Sequence, residues 1–313
     1  CNLRDTVRAH MSSLNARSNQ ESLLFGLIAV GLWSTMATAF KWALLYTTPM
    51  QLITAAATVS WLFFAMRLAV SGSLRSVMEV PTTIRWRCLI LGLLNPGLYY
   101  WILFQAYDLL PAQDAMAINY TWGLTLPLIA SLFSKIVPTR SEIGLALLSY
   151  LGILIIVTDG DLSAFEFTAP LGVLLALLST VIWGLSWVLN SRFVDTHQLN
   201  PEVTLFLNFT AATPILWLLT TLSDGAIALT WASILSGLYV GLLEMGIAFV
   251  LWMNALRLTN NPIRVSSLIF LAPPLSLVLI TTVLGEPISQ STLLGLVVIL
   301  LGLAGQQFVS QSR

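Results

Sequence analysis

Residues 92–110 read GLLNPGLYYWILFQAYDLL, and residues 241–259 read GLLEMGIAFVLWMNALRLT. Set one above the other without gaps, the GLLxxG pattern coincides, as do Ala106 with Ala255 and Leu109 with Leu258, at a shift of 149 residues. Both stretches lie in long apolar runs, yet the first holds Asn95, Pro96 and Gly97 and the second holds Glu244. A proline in a helix interior removes a backbone hydrogen bond and clashes with the preceding turn, at about 3 kcal/mol. Backbone interrupted at membrane depth is tolerated where it is buried in protein or lines a cavity. The register of the two stretches therefore predicts a duplicated unit whose counterpart helices border a cavity.

The rest of the chain supports that reading. Of 313 residues, 57% are hydrophobic and only 9% charged, with mean hydropathy +0.85; an ordinary soluble domain carries about 25% charged residues. The formal net charge is zero, so nothing points to nucleic acid. Cys1 and Cys88 cannot form a disulfide framework. The first 20 residues are polar and carry Arg4, Arg8 and Arg17 without a cleavage-site pattern, so no secretory signal is expected and Met11 is a candidate start.

A helix needs about 20 apolar residues to cross the hydrocarbon layer. Ten segments qualify: 22–44, 50–70, 87–109, 113–134, 142–158, 170–192, 201–222, 232–256, 263–284 and 289–309. Their unbroken apolar character, without strict alternation, selects helices over a closed barrel. Basic residues give the orientation. The N-terminal tail, every second loop and the C-terminus hold Arg4, Arg8, Arg17, Arg67, Arg75, Arg85, Arg87, Lys135, Arg140, Arg192, Arg257, Arg264 and Arg313, thirteen of the fourteen lysines and arginines. The alternate loops hold Asp108, Asp114, Asp159, Asp161, Glu166, Asp224 and Glu286 instead. Both termini are thus expected in the cytoplasm. The repeat shift, within a residue or two, also pairs Trp33 with Trp183 and Pro138 with Pro287, and brings Pro127 near Pro273 and Pro274.

Five helices per copy is an odd number, so the second copy starts on the side opposite the first and the halves are inverted. Inverted repeats are a hallmark of secondary transporters, with the substrate near the midplane between the halves. The expected fold is an all-α membrane protein, ten transmembrane helices forming two inverted five-helix repeats around a central cavity. The expected divisions are a cytoplasmic tail (1–21), a first repeat (22–158), an external linker (159–169), a second repeat (170–309) and a short tail (310–313).

Tryptophans in GLWST (31–35) and VIWGL (181–185), the prolines Pro127, Pro273 and Pro274, and the LGEP turn at 284–287 resemble the EamA-type branch of the drug/metabolite transporter superfamily. The likeness covers about residues 22 to 309, and the aromatic content is most similar to YddG-type bacterial exporters of aromatic and other amino acids. What the resemblance implies is an inner-membrane carrier with ten helices around a cavity open alternately to either side, lined mainly by the third, fourth, eighth and ninth helices. One departure is VPTR at 137–140 where the second half has LGEP.

Candidate site residues follow from helical spacing. Asn95 and Tyr99 share a face, as do Asn119 and Trp122; Ser179, Trp183, Ser186 and Asn190 form one stripe. A zwitterionic amino acid needs donors for its carboxylate, acceptors for its ammonium and a flat apolar surface for an aromatic side chain. Asn, Ser and Tyr supply the first needs, and Trp and Tyr rings the last. The expected substrate-binding set is Trp33, Asn95, Tyr99, Trp101, Asn119, Trp122, Trp183, Ser186 and Glu244. Pro96, Gly97, Gly246, Pro273 and Pro274 are the expected gating or helix-break positions. Each also has a bland reading: belt anchoring for tryptophans, interhelical hydrogen bonding for Asn and Ser, close packing for glycines. Trp42, Trp61, Trp86, Trp217 and Trp231, near span ends, are expected as belt anchors.

Glu244 stands deep in a span as the counterpart of Asn95, and three roles stay open: ammonium acceptor, proton carrier, or protonated partner of a neighbouring helix. Lys41, the one basic residue off the cytoplasmic side, either snorkels outward or steers carboxylates at a cavity mouth. Neither His10 nor His197 lies in a span. The leading expectation is an exporter of amino acids, aromatic and other mainly neutral ones, in a bacterial inner membrane. The partners are then the lipid bilayer and a small-molecule substrate, with no cofactor, metal, nucleic acid or ATPase partner. An exporter of drugs or other metabolites is the alternative within the superfamily. A passive channel and a membrane enzyme are the alternatives outside it, although no Ser/His pair, paired aspartates, GxSxG or Walker motif appears.

Overall fold

The computed structural model describes residues 3–134, 139–161, 169–225, 230–258 and 267–311. They are helical with short turns, and among them no strand occurs. Six stretches are long and apolar enough to cross a membrane: Asn19–Ala43, Pro49–Val70, Thr82–Leu109, Pro170–Val194, Pro201–Ser223 and Trp231–Ala255. Three more apolar helices are shorter: Ile143–Ile156, Leu268–Leu284 and Gln290–Gly305. Lys135, Pro138, Glu166, Arg264 and Arg313, which entered the orientation and repeat readings, lie outside the described residues, as do the side chains of Arg4, Arg8, Arg17, Pro127 and Arg257.

The order is α1 (Leu3–Ser34), α2 (Met36–Ala43), α3 (Pro49–Val70), α4 (Leu74–Glu79), α5 (Thr82–Gly92), a π-helical segment Leu93–Leu98, and α6 (Tyr99–Leu109). Then come α7 (Ala112–Asn119), α8 (Trp122–Ser134) and α9 (Arg140–Val157), which end the first half. The second half has α10 (Pro170–His197), α11 (Pro201–Ser223), α12 (Trp231–Leu238), a π-helical segment Tyr239–Ala248, and α13 (Phe249–Leu258). It closes with a 3₁₀ turn Ser267–Leu271, α14 (Ala272–Leu279), a π-helical segment Ile280–Leu284, and α15 (Gln290–Gln311).

Local chemistry accounts for many of these limits. Thr48 caps α3 through a reciprocal capping box with Gln51, and Pro49 takes the first position, where a missing N–H costs nothing. On α11, the counterpart helix, Asn200 caps without a reciprocal bond, its side chain accepting from the Glu202 N–H, and Pro201 again takes the first position. Pro273 and Pro274 stand at the first positions of α14, so they start an α-helical turn after a 3₁₀ stretch rather than kinking a continuous helix.

Close backbone approach sets the interior. A Cβ on Gly92 would fall 2.0 Å from the Asn208 carbonyl oxygen of α11, and one on Gly241 would fall 2.4 Å from the Ala56 carbonyl oxygen and 2.7 Å from Val59 Cβ of α3. The 149-residue shift that carries Gly92 onto Gly241 also carries Val59 onto Asn208. The internal repeat is therefore a repeat of contacts: the stretches Thr82–Leu109 and Trp231–Ala255 each pack by glycine on the second long helix of the other half.

Candidate functional site

The first broken helix parts at Asn95, whose backbone is extended (φ −146°, ψ 116°) between α5 and α6; the Asn95–Pro96 peptide is cis. This departure from helical geometry turns the Asn95 amide inward, where Nδ2 donates to Ser186 Oγ of α10 at 3.1 Å. Ser186 in turn donates to the Trp183 carbonyl at 2.8 Å. About two turns back along α10, Asn119 Nδ2 donates to Ser179 Oγ at 3.0 Å and lies 3.5 Å from the Tyr99 hydroxyl. The polar stripe of α10 is thus met by amides from two helices of the first half.

Trp183 is the hub of the rings. Its centroid lies 4.6 Å from Tyr99, 6.5 Å from Tyr100, 6.2 Å from Trp122, 5.5 Å from Trp187 and 5.9 Å from Phe249. Trp33 touches Phe249 at 6.3 Å and Trp252 at 5.2 Å, so it extends the cluster toward α13. Offset and edge-to-face pairs of this kind are worth about 0.5–1.5 kcal/mol beyond their burial.

Glu244 lies in the π-helical segment Tyr239–Ala248, buried, with Oε1 accepting from the Tyr100 hydroxyl at 3.1 Å and Oε2 without a partner. This segment bulges but keeps helical backbone, so Gly246 marks a widened turn, whereas the counterpart stretch of the first half leaves helical geometry at Asn95, directly before Pro96 and Gly97.

A cavity of about 490 Å³ opens beside this cluster, within the range of small-molecule sites. Asn95, Pro96, Trp187 and Phe249 form its inner end; Asn190, Asn208 and Thr204 line its flank, and Val194, Gln198 and Pro201 its rim. The side-chain amides of Asn190 and Asn208 meet on that flank at 3.1 Å. At the same end of the molecule Arg67 and Glu202 pair at 2.7 Å, joining α3 to α11.

The opposite end is tied shut by polar contacts. Lys41 Nζ donates to the Tyr107 and Leu110 carbonyls at 2.7 and 2.6 Å, capping the end of α6. Glu286 accepts from the Ala112 backbone N–H at 3.0 Å at the start of α7. Gln113 donates to the Pro287 carbonyl and accepts from the Ser289 N–H, and Thr292 donates to Asp114. Lys41 thus holds the end of α6, a contact that neither sequence reading had included.

Of the sequence-predicted residues, Asn95, Tyr99, Asn119, Trp122, Trp183 and Ser186 come together, with Glu244 reached through Tyr100 and Trp33 through Phe249. Trp101 does not join them. It is 36% exposed and shares an outward face with Leu98, because successive helical residues are rotated by about 100° and three adjacent rings cannot face one way. Sequence reasoning missed Trp187, Asn208, Phe249 and Tyr100. Trp187 sits four residues after Trp183 and Tyr100 beside Tyr99, so spacing held the signal for both; Asn208 carried none until α11 was seen against Gly92.

The sequence profile of the EamA-like transporter family matches residues 20–158 and again 170–305. The chain belongs to the EamA-like transporter family. It carries two EamA repeats, and with its apolar helices it is a multi-pass membrane protein of a transporter family. No match was found among the curated proteins. A crystal structure of another protein is similar at TM-score 0.66 over 94% of this chain and 98% of that one, with 22% identity, which shows a shared fold.

Proposed function

We propose that this EamA-family protein exports amino acids, aromatic and other mainly neutral ones, from a bacterial cell by alternating access. In this reading ten helices cross the inner membrane as two inverted halves with both termini in the cytoplasm, and no catalytic step is involved. The observation that carries it is the pairing of an aromatic hub with amide and hydroxyl groups at the inner end of a cavity open at one side. Rings suit an apolar or aromatic side chain, and amides suit a zwitterionic head group. By the basic-residue rule the Val194–Pro201 rim lies on the cytoplasmic side and the Lys41–Glu286 end outside. An exporter loads from the cytoplasm, so an inward-open cavity with a tied outer end is the state expected before transport.

The test uses purified protein in liposomes with labelled phenylalanine, leucine, threonine and a cationic dye as rivals. Saturable uptake with counterflow of the amino acids supports the reading. Dye transport without amino-acid competition would move the assignment to a drug exporter of the same superfamily, and unsaturable flux without counterflow would make the protein a channel.

A further inference from the structure

The flank of the cavity carries two amides whose hydrogen bonds cannot all be made. Asn190 of α10 and Asn208 of α11 both line the cavity, and their side chains meet at 3.1 Å. Each also touches backbone carbonyls on its far side. Asn190 Nδ2 donates to the Ser186 carbonyl at 3.0 Å. The far end of the Asn208 amide lies 2.7 Å from the Cys88 carbonyl oxygen and 3.2 Å from that of Thr204. Asn208 is only 2% exposed, so a mismatch there is not relieved by bulk solvent.

A carboxamide has one end that donates and one that accepts, and its neighbours decide which way it faces. Two amides in a row with carbonyl acceptors at both ends always leave two oxygens face to face. If Asn208 Nδ2 points at Asn190, its Oδ1 meets the Cys88 and Thr204 carbonyls with no proton between them. If Nδ2 donates to those carbonyls instead, Asn208 Oδ1 faces Asn190 Oδ1 at 3.1 Å. Turning Asn190 over only moves the conflict to the Ser186 carbonyl. The second arrangement gives both amide nitrogens their acceptors and leaves the two facing oxygens between side chains that line the cavity. Such a pair needs a donor that accepts nothing itself, and an alkylammonium, with three N–H groups and no acceptor, is that group. Among the described residues no basic side chain bonds to either amide, so the donor has to come with a ligand.

Resting on the amino-acid reading above, we infer that the facing oxygens of Asn190 and Asn208 receive the substrate ammonium. The Trp187 and Phe249 rings, 5.7 Å apart at the inner end of the same cavity, take the apolar or aromatic side chain. Ser186 is a positioning residue here, since its carbonyl holds the Asn190 nitrogen and so turns the Asn190 oxygen toward Asn208. The pair then makes the amine, rather than the carboxylate, the part of the head group that the cavity demands.

Calorimetry on the purified full chain in detergent at pH 8 tests this with phenylalanine, phenethylamine (no carboxylate), 3-phenylpropionate (no amine) and sodium chloride alone, on wild type and Asn190→Asp. Wild type is expected to bind phenylalanine and phenethylamine about tenfold or more tighter than 3-phenylpropionate, the scale of one charge-assisted hydrogen bond. Asn190→Asp replaces a neutral acceptor by an anionic one, so phenethylamine should bind about tenfold tighter than to wild type and 3-phenylpropionate more weakly. A purely structural role for Asn190 would raise no affinity. Folded Asn190→Asp with unchanged phenethylamine affinity would overturn the inference. If size-exclusion shows that variant misfolded, wild type decides alone: 3-phenylpropionate bound as tightly as phenylalanine overturns the inference, as does sodium binding without any preference for the amine. In each of those cases phenylalanine transport in liposomes would keep the amino-acid reading alive. A wild type that neither binds nor carries an amino acid overturns both.

Discussion

At Gly92 the helix backbone lies so near α11 that a Cβ would meet the Asn208 carbonyl oxygen, and at Gly241 it lies as near α3. Three residues further on, the copies part. Asn95 leaves the helix and bonds to Ser186, whereas Glu244 stays in a widened π-helical turn and bonds to Tyr100. The rings follow the same logic of likeness and divergence: Trp183 of the second half meets Tyr100 of the first at 6.5 Å, and Trp33 of the first meets Phe249 of the second at 6.3 Å. Tyr100 and Phe249 are repeat counterparts. Duplication preserved the frame by which the halves hold each other, and divergence put an amide in one arm of the site and a carboxyl in the other.

The first way to strain this comparison is through the paired tryptophans. Trp183 touches rings from both halves and is 7% exposed, so Trp183→Ala is expected to cost about 3–5 kcal/mol, as large-to-small core changes do. Trp33 has two ring neighbours and is only half buried, so Trp33→Ala is expected to cost less. Thermal unfolding followed by size-exclusion in detergent ranks them. Equal losses would mean the two rings are equivalent and the hub is not centred on the second half.

The glycine pair comes next. Gly92→Ala and Gly241→Ala each place a methyl against backbone that cannot swing aside, at an expected cost of about 1–3 kcal/mol. Gly92→Ala should be the worse, since its clash is 2.0 Å against 2.4 Å. A Gly92→Ala protein as stable as wild type would remove the helix crossing on which the repeat of contacts rests.

How far the amino-acid sequence reached is clear from the same residues. GLLxxG in register, the paired first-helix tryptophans and the proline breaks gave the duplication and the family, because spacing along one helix is fixed by its geometry. Ser179, Trp183, Ser186 and Asn190 were legible as a stripe for that reason. What spacing cannot supply is the rotation of one helix against another. That is why Trp101 was grouped with Tyr99, why Asn208 and Tyr100 were passed over, and why Glu244 had no partner before Tyr100 was seen beside it. The Lys41 contacts were equally hidden, since they join the second short helix to a turn some 66–69 residues away.

The diverged polar pair makes a finer test. Tyr100→Phe keeps the ring and leaves both Glu244 oxygens unbonded, at an expected cost of about 1–3 kcal/mol for a buried group stripped of its partner. Asn95→Ala removes one bond to Ser186, which still bonds to the Trp183 carbonyl, and is expected to cost about 0.6 kcal/mol, near the average for interhelical bonds in membranes. Denaturation midpoints of the two variants therefore separate the arms. The reverse order would mean that the amide, rather than the carboxyl, is the group the interior depends on.

The smallest effect is expected where the copies face different surroundings. Trp101 is 36% exposed on the outer surface, while its counterpart Val250 is 7% exposed inside. Trp101→Leu exchanges one apolar side chain for another on a face that lipid can cover, so stability should stay within about 0.5 kcal/mol and phenylalanine uptake should match wild type. Val250→Ala, by contrast, opens space in packed interior and should cost about 1 kcal/mol. Uptake assays and unfolding on the same two preparations decide the matter. Loss of uptake in Trp101→Leu without loss of stability would bring this ring back into the site, and the outward rotation of that helix face would have to be redrawn.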